Sequence, residues 1–418
     1  MKAVRSLKES LLMCIPCYSF DDNPRVVKTA SATLGLLLGL FFLVPWSWAQ
    51  EAGITDASIH IGSTLPLEGD FRIYGEAIHK GMAAALANQS VQGGRHIELS
   101  VLNDFYNPPR TVEAAQQLID RGIFLMLGSF GSPTTHAVLP LLAEHQIPAL
   151  GFTTGAGFTE PGDILNFRAS YAQEVATAIE LGLELGIKPT DVCVYVQNDA
   201  YGMSGVLGLK SVLVKHPGTE EIVARLEQIL SLTGDNPNRN HIGPVGVYQR
   251  DTVSARDGYL SLKKWEETSG YRCQFVATTA VYDSAATFMA YARYKNETWM
   301  FSSPSPAGGD RLTELLEAHG ITGRVIVTQI VPALDSELPV VAEARAALGP
   351  EMDEYALEGY LVGRLFLAIA RAVDGPLTRE SFLRAARRQP YNLGGIEVDY
   401  TSGQQGSNFV LLTHLPLF

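Results

Sequence analysis

An α/β fold of two open lobes, each a parallel β-sheet covered by helices, is what this 418-residue sequence predicts. Three observations lead there. Short apolar strands bounded by glycine and polar turns alternate with helical segments, the pattern of a sheet buried on both faces. That rhythm runs through once and then starts again. Behind an N-terminal apolar run, enough chain remains for two ordinary cores.

The first cycle opens with a short strand at Ile59–Gly62 and an alanine-rich helix over 75–88. A strand at 97–102, a helix at 111–121, a buried strand at 124–128, a helix at 134–144 and a strand at 147–151 follow. The second cycle has a helix at 174–185, a strand at 192–196 and a helix at 204–214. Strands at 244–248 and 274–278 flank a helix at 258–268; a helix at 285–294 and a strand at 325–327 complete it. Residues 232–240, rich in Gly, Asn, Pro and Asp, read as a surface loop. A long helix at 355–373 carries apolar residues on one side. Lobes of this kind place their loops at the carboxyl ends of the strands, so the cleft between them is the expected ligand site.

The N-terminus reads as an export signal. Ala32–Val44 is apolar and uncharged, Arg25 and Lys28 precede it, and Ser47-Trp48-Ala49 supplies small residues at both recognition positions. Residues 1–49 are the expected signal peptide, cleaved after Ala49, and the mature protein is expected to be exported and soluble. An uncleaved anchor is the competing reading, with Gly35 and Gly39 at the spacing of packed membrane helices. Met13 is an alternative start.

Charge excludes one class of partner. Without the five basic and three acidic residues of 1–49, the chain keeps 27 basic and 41 acidic residues, a net charge of −14. Such a surface argues against nucleic acid, which needs clustered Lys and Arg. Cys14 and Cys17 lie in the leader, leaving Cys193 and Cys273. These two lack metal-ligand spacing and the nine His are scattered, so neither a metal nor a cofactor is expected. An oxidising compartment permits the two to pair, but a core this large calls for no staple, and the expectation is that they form no obligatory disulfide. Trp265 and Trp299 are the tryptophans beyond the leader, and Trp299 is expected to report ligand-driven closure.

Several stretches carry a resemblance: Ile61-Gly62 through Tyr74-Gly75, Gly93-Gly94 and the strand ending at Asp104, Gly128-Ser129-Phe130-Gly131-Ser132, and Phe167-Arg168-Ala169-Ser170-Tyr171. Asn198-Asp199-Ala200-Tyr201-Gly202, Tyr248-Gln249-Arg250-Asp251-Thr252, Leu357-Glu358-Gly359-Tyr360 and Gly406-Ser407-Asn408-Phe409-Val410 follow in order. Together, over residues 56–418, they resemble the periplasmic solute-binding proteins of branched-chain amino acid ABC importers, the leucine-binding-protein-like group. The resemblance implies a type I periplasmic binding protein fold: two Rossmann-like lobes with parallel sheets joined by three crossover strands. Carried over, lobe 1 is 56–170 with 328–405, and lobe 2 is 171–327 with 406–418.

It also implies a set of ligand contacts. Ser132, ahead of Pro133, reads as a helix N-cap that leaves the amides of Thr134 and Thr135 free for an anion; the matching family Ser contacts the ligand carboxylate. The Thr153-Thr154-Gly155 loop supplies hydroxyl and backbone contacts in the family, with Gly155 where a second hydroxyl is often found. Tyr74, Tyr201 and Tyr282 match positions that line the cleft, and Gln173 matches a position that is often Asp. Each has a plainer alternative: a capped helix, a glycine turn with solvated threonines, half-buried surface tyrosines. One departure stands out. Phe301-Ser302-Ser303-Pro304-Ser305 has no carboxylate where amino acid binders place the partner of the ligand ammonium; only Asp283 or Glu174 is left as a replacement.

The expected function is therefore that of an extracytoplasmic binding protein of an ABC importer, a monomer that captures a small carboxylate or amino-acid-like ligand and meets a membrane permease. A sensor of the same fold signalling to a membrane partner is the alternative. A secreted hydrolase lacks support, since no Gly-x-Ser-x-Gly elbow and no recognisable nucleophile context occur. The chain is not expected to be an enzyme.

Overall fold

Two largely parallel sheets, each with one antiparallel edge strand (Ser90–Val91 and Leu411–His414), organise the chain. The computed structural model describes residues 51–414 except Thr322; the expected signal peptide of residues 1–49 lies outside them. The first half contains β1 (Ser58–Leu65), α1 (Arg72–Leu86), β2 (Ser90–Val91), β3 (Arg95–Asn103), α2 (Pro108–Asp120), β4 (Met126–Leu127), α3 (Ser132–Glu144), β5 (Ala149–Leu150) and β6 (Ile164–Leu165). Next come α4 (Tyr171–Glu184), β7 (Val192–Gln197), α5 (Ala200–Leu213), α6 (Glu220–Ser231), β8 (Val245–Tyr248), α7 (Arg256–Ser269), β9 (Phe275–Thr279), α8 (Tyr282–Tyr294), β10 (Met300–Ser303), α9 (Gly309–Ala318) and β11 (Val325–Gln329). The chain ends with α10 (Pro339–Leu348), α11 (Glu354–Arg371), α12 (Arg379–Ala386), β12 (Tyr391–Asn392), β13 (Glu397–Val398) and β14 (Leu411–His414).

One six-stranded sheet has the order β2-β3-β1-β4-β5-β6 and the other β14-β11-β10-β9-β7-β8. In the first, β1 pairs in parallel with both β3 and β4; in the second, β7 pairs in parallel with both β8 and β9. The chain thus reverses direction across each sheet beside β1 and beside β7. Loops diverge at such a switch point and leave a crevice at the carboxyl ends of the strands. Three passages link the sheets: after β6, after β11, and between β13 and β14. The fold is that of the type I periplasmic binding proteins.

Central strands such as Val-Cys-Val-Tyr-Val-Gln of β7 are buried along their whole length, as a sheet covered on both faces demands. Helices α1 and α11 approach so closely that only glycine fits at two points. A Cβ on Gly81 would lie 2.0 Å from the Ala356 carbonyl oxygen, and one on Gly359 would lie 2.4 Å from that of Ile78. Among the described residues no helix is long and apolar enough to cross a membrane.

Contrary to the expectation from core size, Cys193 and Cys273 are joined as a disulfide. Cys193 lies on β7 and Cys273 just ahead of the neighbouring β9, with their Cα atoms 5.6 Å apart. Core size measures the need for a staple and says nothing of proximity; strand order brings the two thiols within bonding reach.

Candidate functional site

The loops at the two switch points face each other, and their side chains enclose a cavity of about 30 Å³. From the first sheet, the chain leaves β1 to present Phe71 and Tyr74. After β3, the buried Asp104 carboxylate accepts the Tyr106 amide (2.9 Å) and the Thr111 hydroxyl (3.1 Å). It thereby holds Phe105 and Tyr106 in left-handed backbone, φ 55° at each, and sets the Tyr106 ring on the cavity wall. After β4, Gly131 turns at φ 96° and tucks under that ring; a Cβ there would sit 2.4 Å from it. After β5, Thr153 completes this side. The opposite side comes from Tyr171 and Tyr201 at two helix starts, Val281 after β9 and Pro306 after β10, while Tyr355 on α11 stands beside Tyr74.

Seven of the lining residues are aromatic: Phe71, Tyr74, Tyr106, Phe130, Tyr171, Tyr201 and Tyr355. Their rings pack on one another. Tyr74 stacks on Phe130 at 5.5 Å between centroids and meets Tyr355 edge-on at 4.6 Å. Tyr171 meets Tyr201 edge-on at 4.8 Å. The polar lining is Ser132, Thr153 and Arg168, with no carboxylate among the lining residues. Two hydroxyls there, those of Thr153 and Tyr74, are buried without a hydrogen-bond partner. Burial, then the neighbouring Tyr282 and Asp283, push the Tyr74 phenol above its ordinary range, so it stays a neutral donor.

Arg168 is buried beside two glutamates. Its Nη2 donates to Glu174 Oε1 (3.1 Å) and to the Ser305 hydroxyl, its Nη1 faces Glu358 at 3.4–3.5 Å, and its Nε has no partner. Glu174 also accepts from the Ser305 amide (2.7 Å) and the Thr328 hydroxyl (2.5 Å). It is thus fully occupied and does not replace the missing ammonium partner. Asp283 instead lines a larger opening of about 420 Å³ at the mouth, with Asp70, Arg250 and Tyr282, and shares Phe71, Tyr106 and Val281 with the inner cavity.

Of the residues expected from the sequence, Tyr74, Ser132, Thr153 and Tyr201 come together on the inner cavity, and Tyr282 lies at the mouth. Thr154 stands behind, its hydroxyl 2.8 Å from that of Ser132. Gly155 is filled over by Tyr171, whose ring would lie 2.7 Å from a Cβ. Gln173 completes a capping box with Ser170 and hydrogen-bonds Asn408 at 2.6 Å. One local expectation is corrected. Gly131, not Ser132, is the N-cap of α3, and its carbonyl takes the Thr135 amide at 3.0 Å. The backbone turn at Gly131 starts the helix one residue earlier than a serine cap would.

Sequence reading missed Phe71, Tyr106, Phe130, Arg168, Tyr171 and Tyr355 as wall residues. Phe71, Phe130, Arg168 and Tyr171 sit inside the stretches that carry the resemblance, which is a signal that was available. Tyr355 had none, because it reaches the cavity only through the packing of α11.

The fold is the one the bilobed periplasmic binding proteins have. Comparison with known proteins agrees. Residues 58–227 match the family described as "Periplasmic binding protein", a family of solute binders rather than enzymes. A possible leucine/isoleucine/valine-binding protein of Rhodopirellula baltica SH 1 superposes with a TM-score of 0.69 at 25% identity, over 86% of this chain and 94% of that one. A solute-binding protein of an R. palustris ABC transporter, solved with 4-hydroxybenzoate, superposes with a TM-score of 0.65 at 17% identity, over 85% and 92%. In sequence, the Leu/Ile/Val-binding protein homolog 2 of Brucella abortus (strain 2308) is 29% identical over 112 residues, 26% of this chain. The chain spans 30% of the length of that curated relative. The leucine-binding-protein-like resemblance read from the sequence is thus borne out.

Proposed function

We propose that this is an exported, monomeric solute-binding protein of an ABC importer that captures a small carboxylic acid with an aromatic or apolar body and presents it to a membrane permease. Lobe 1 (56–170 with 328–405) and lobe 2 (171–327 with 406–418) would close over the ligand by hinge motion. The observation that carries the ligand class is the lining of the inner cavity: seven aromatic rings, Ser132, Thr153 and Arg168, and no carboxylate among them. Aromatic walls suit a flat body. The Ser132 and Thr134 amides at the start of α3 and the partnerless Thr153 hydroxyl suit an anion, whereas the Thr135 amide is taken by the Gly131 carbonyl. A ligand ammonium would be buried there unpaired, at a cost. The R. palustris protein that binds 4-hydroxybenzoate has the same fold.

A cavity of about 30 Å³ has room for a few water molecules at most, so entry of an organic acid requires the lobes to part. Calorimetry should show 4-hydroxybenzoate binding more tightly than leucine. The lost charge-assisted hydrogen bond, about 1.5–3 kcal/mol, corresponds to roughly ten- to a hundredfold in affinity. Thr153→Val should weaken the acid by roughly tenfold, the worth of one hydrogen bond, and leave the melting temperature unchanged. Leucine binding tighter than any aromatic acid would refute this reading.

A further inference from the structure

We propose that Arg168 is the counter-charge for the bound anion, and that Glu358 takes up a proton when the anion is captured. The proposal rests on the carboxylic-acid reading above and adds to it a charge partner and a proton linkage.

Arg168 lines two cavities at once. One is the aromatic ligand cavity; the other, of about 20 Å³, lies against the hinge and is bounded by Ser305, Gln329, Glu354, Tyr355 and Glu358. The side chain is only 2% exposed. On the ligand cavity, three residues carry buried groups without a partner: Arg168 (Nε), Thr153 (Oγ1) and Tyr74 (hydroxyl). All three groups can donate. Buried donors are rarely left unmade without a reason, and one carboxylate can accept from all three.

The charge count around Arg168 supplies the second half. One guanidinium stands between two carboxylates, an excess of one negative charge in the interior. A bound anion adds another. Burying unbalanced charge is costly, and a titratable group relieves it by taking a proton. The two glutamates differ in how they would respond. Glu174 accepts from the Ser305 amide, the Ser305 and Thr328 hydroxyls and Arg168, so both its oxygens are already engaged as acceptors. Glu358 is held only by Arg168 Nη1, at 3.4–3.5 Å.

The groups acting on Glu358 are few. Arg168 and, on α4, Glu174 face it. Tyr355 on its own helix and Tyr171 on α4 share the same cluster with Arg168. Tyr74 comes from α1, and Glu354, one turn earlier on α11, bonds Gln329. On the outer side of α1, His79 is half-buried and Lys80 is exposed and paired with Glu351. Glu343 of α10 pairs with Arg364. Among the described residues, Arg168 is the one cation that acts directly on Glu358. Burial already raises the Glu358 carboxyl above the ordinary range, Arg168 opposes this, and Glu174 adds to it.

The sign of the linkage follows. The anion raises the proton affinity of Glu358 further in the complex. Affinity is therefore highest at low pH and declines as pH rises through the Glu358 pKa of the complex, by at most about tenfold per pH unit.

The test is calorimetry of the full mature protein with 4-hydroxybenzoate between about pH 5.5 and 8, in two buffers of different ionisation enthalpy. Net uptake of up to one proton is expected. Glu358→Gln should bind more tightly than wild type at the upper pH and lose the pH dependence. Arg168→Lys should weaken the acid at least roughly tenfold, the worth of a charge-assisted hydrogen bond. The proton measurement on wild type stands even where a variant fails to fold. Wild type that binds the acid with no proton uptake, or with a Glu358→Gln affinity that still tracks pH, overturns this proposal and leaves the carboxylic-acid reading intact. Wild type that binds neutral 4-hydroxybenzamide as well as the acid overturns both.

Discussion

Asp104 shows how one buried side chain shapes the binding wall from outside the cavity. Its carboxyl organises the left-handed turn that carries Tyr106, yet burial pushes its pKa up to about 6, with the Tyr106 amide and Thr111 hydroxyl opposing the shift. A carboxyl raised in the folded state holds more protons there than in the unfolded chain. Stability from this group is therefore full below the unfolded value near 4 and is lost as pH rises through about 6. At neutral pH that loss is at most about 3 kcal/mol. Asp104→Asn keeps an acceptor for the Tyr106 amide without the charge. Urea denaturation should find it more stable than wild type at pH 7 and no more stable at pH 4. A variant less stable than wild type at both values would show that the ionised carboxylate itself holds the turn.

Among the secondary-structure elements, β7 and β9 are tied twice, by their parallel ladder and by the Cys193–Cys273 bond. The bond closes a segment of 80 residues that contains α5, α6, β8 and α7. Closing a loop of this length restricts the unfolded chain, typically by about 2–4 kcal/mol. Protein exported under oxidising conditions should show no free thiol when denatured without reductant. Reduction, or Cys193→Ala with Cys273→Ala, should lower the melting temperature while leaving ligand affinity unchanged, because neither sulfur reaches the cleft. Two titratable thiols in exported material would sink the assignment. The helices make a complementary point. Close contact of α1 with α11 depends on Gly81 and Gly359, and that contact carries Tyr74 and Tyr355 to the same wall.

Across the two lobes, the mouth is held by Arg250, whose Nη2 donates to the Tyr106 carbonyl oxygen at 3.3 Å while its guanidinium lies 5.2 Å from the Tyr106 ring centroid. On the hinge motion proposed above, these contacts would break as the lobes part, so they would favour the closed arrangement. Arg250→Ala should enlarge the radius of gyration of the unliganded protein in small-angle scattering and speed ligand release. Unchanged scattering in the variant, with wild type compacting on 4-hydroxybenzoate, would assign closure to other contacts. Trp299, expected from its neighbours in sequence to report closure, should change its emission only slightly. It is buried against Tyr259, Phe288 and Phe301 ahead of β10, whereas the cleft lies beyond the far end of that strand, about 13 Å away. Tyrosine emission, drawn from the cavity walls, is the better signal.

Much of this architecture was legible in the chain. Gly-bounded apolar strands alternating with helices are local patterns, since burial on both faces of a strand is written in consecutive residues. They yielded the two lobes and the cleft at the strand ends, and the ordered stretches from Ile61 to Val410 pointed to Tyr74, Ser132, Thr153 and Tyr201. Four contacts were decided only in three dimensions. Arg168 meets Glu358 across 190 residues, Cys193 meets Cys273, Tyr355 joins the wall through α11, and Tyr171 fills the space beside Gly155. Each depends on sheet order and helix packing, which set distances between residues far apart in the chain. A local pattern states how deeply a residue is buried; what it is buried against follows from the tertiary fold.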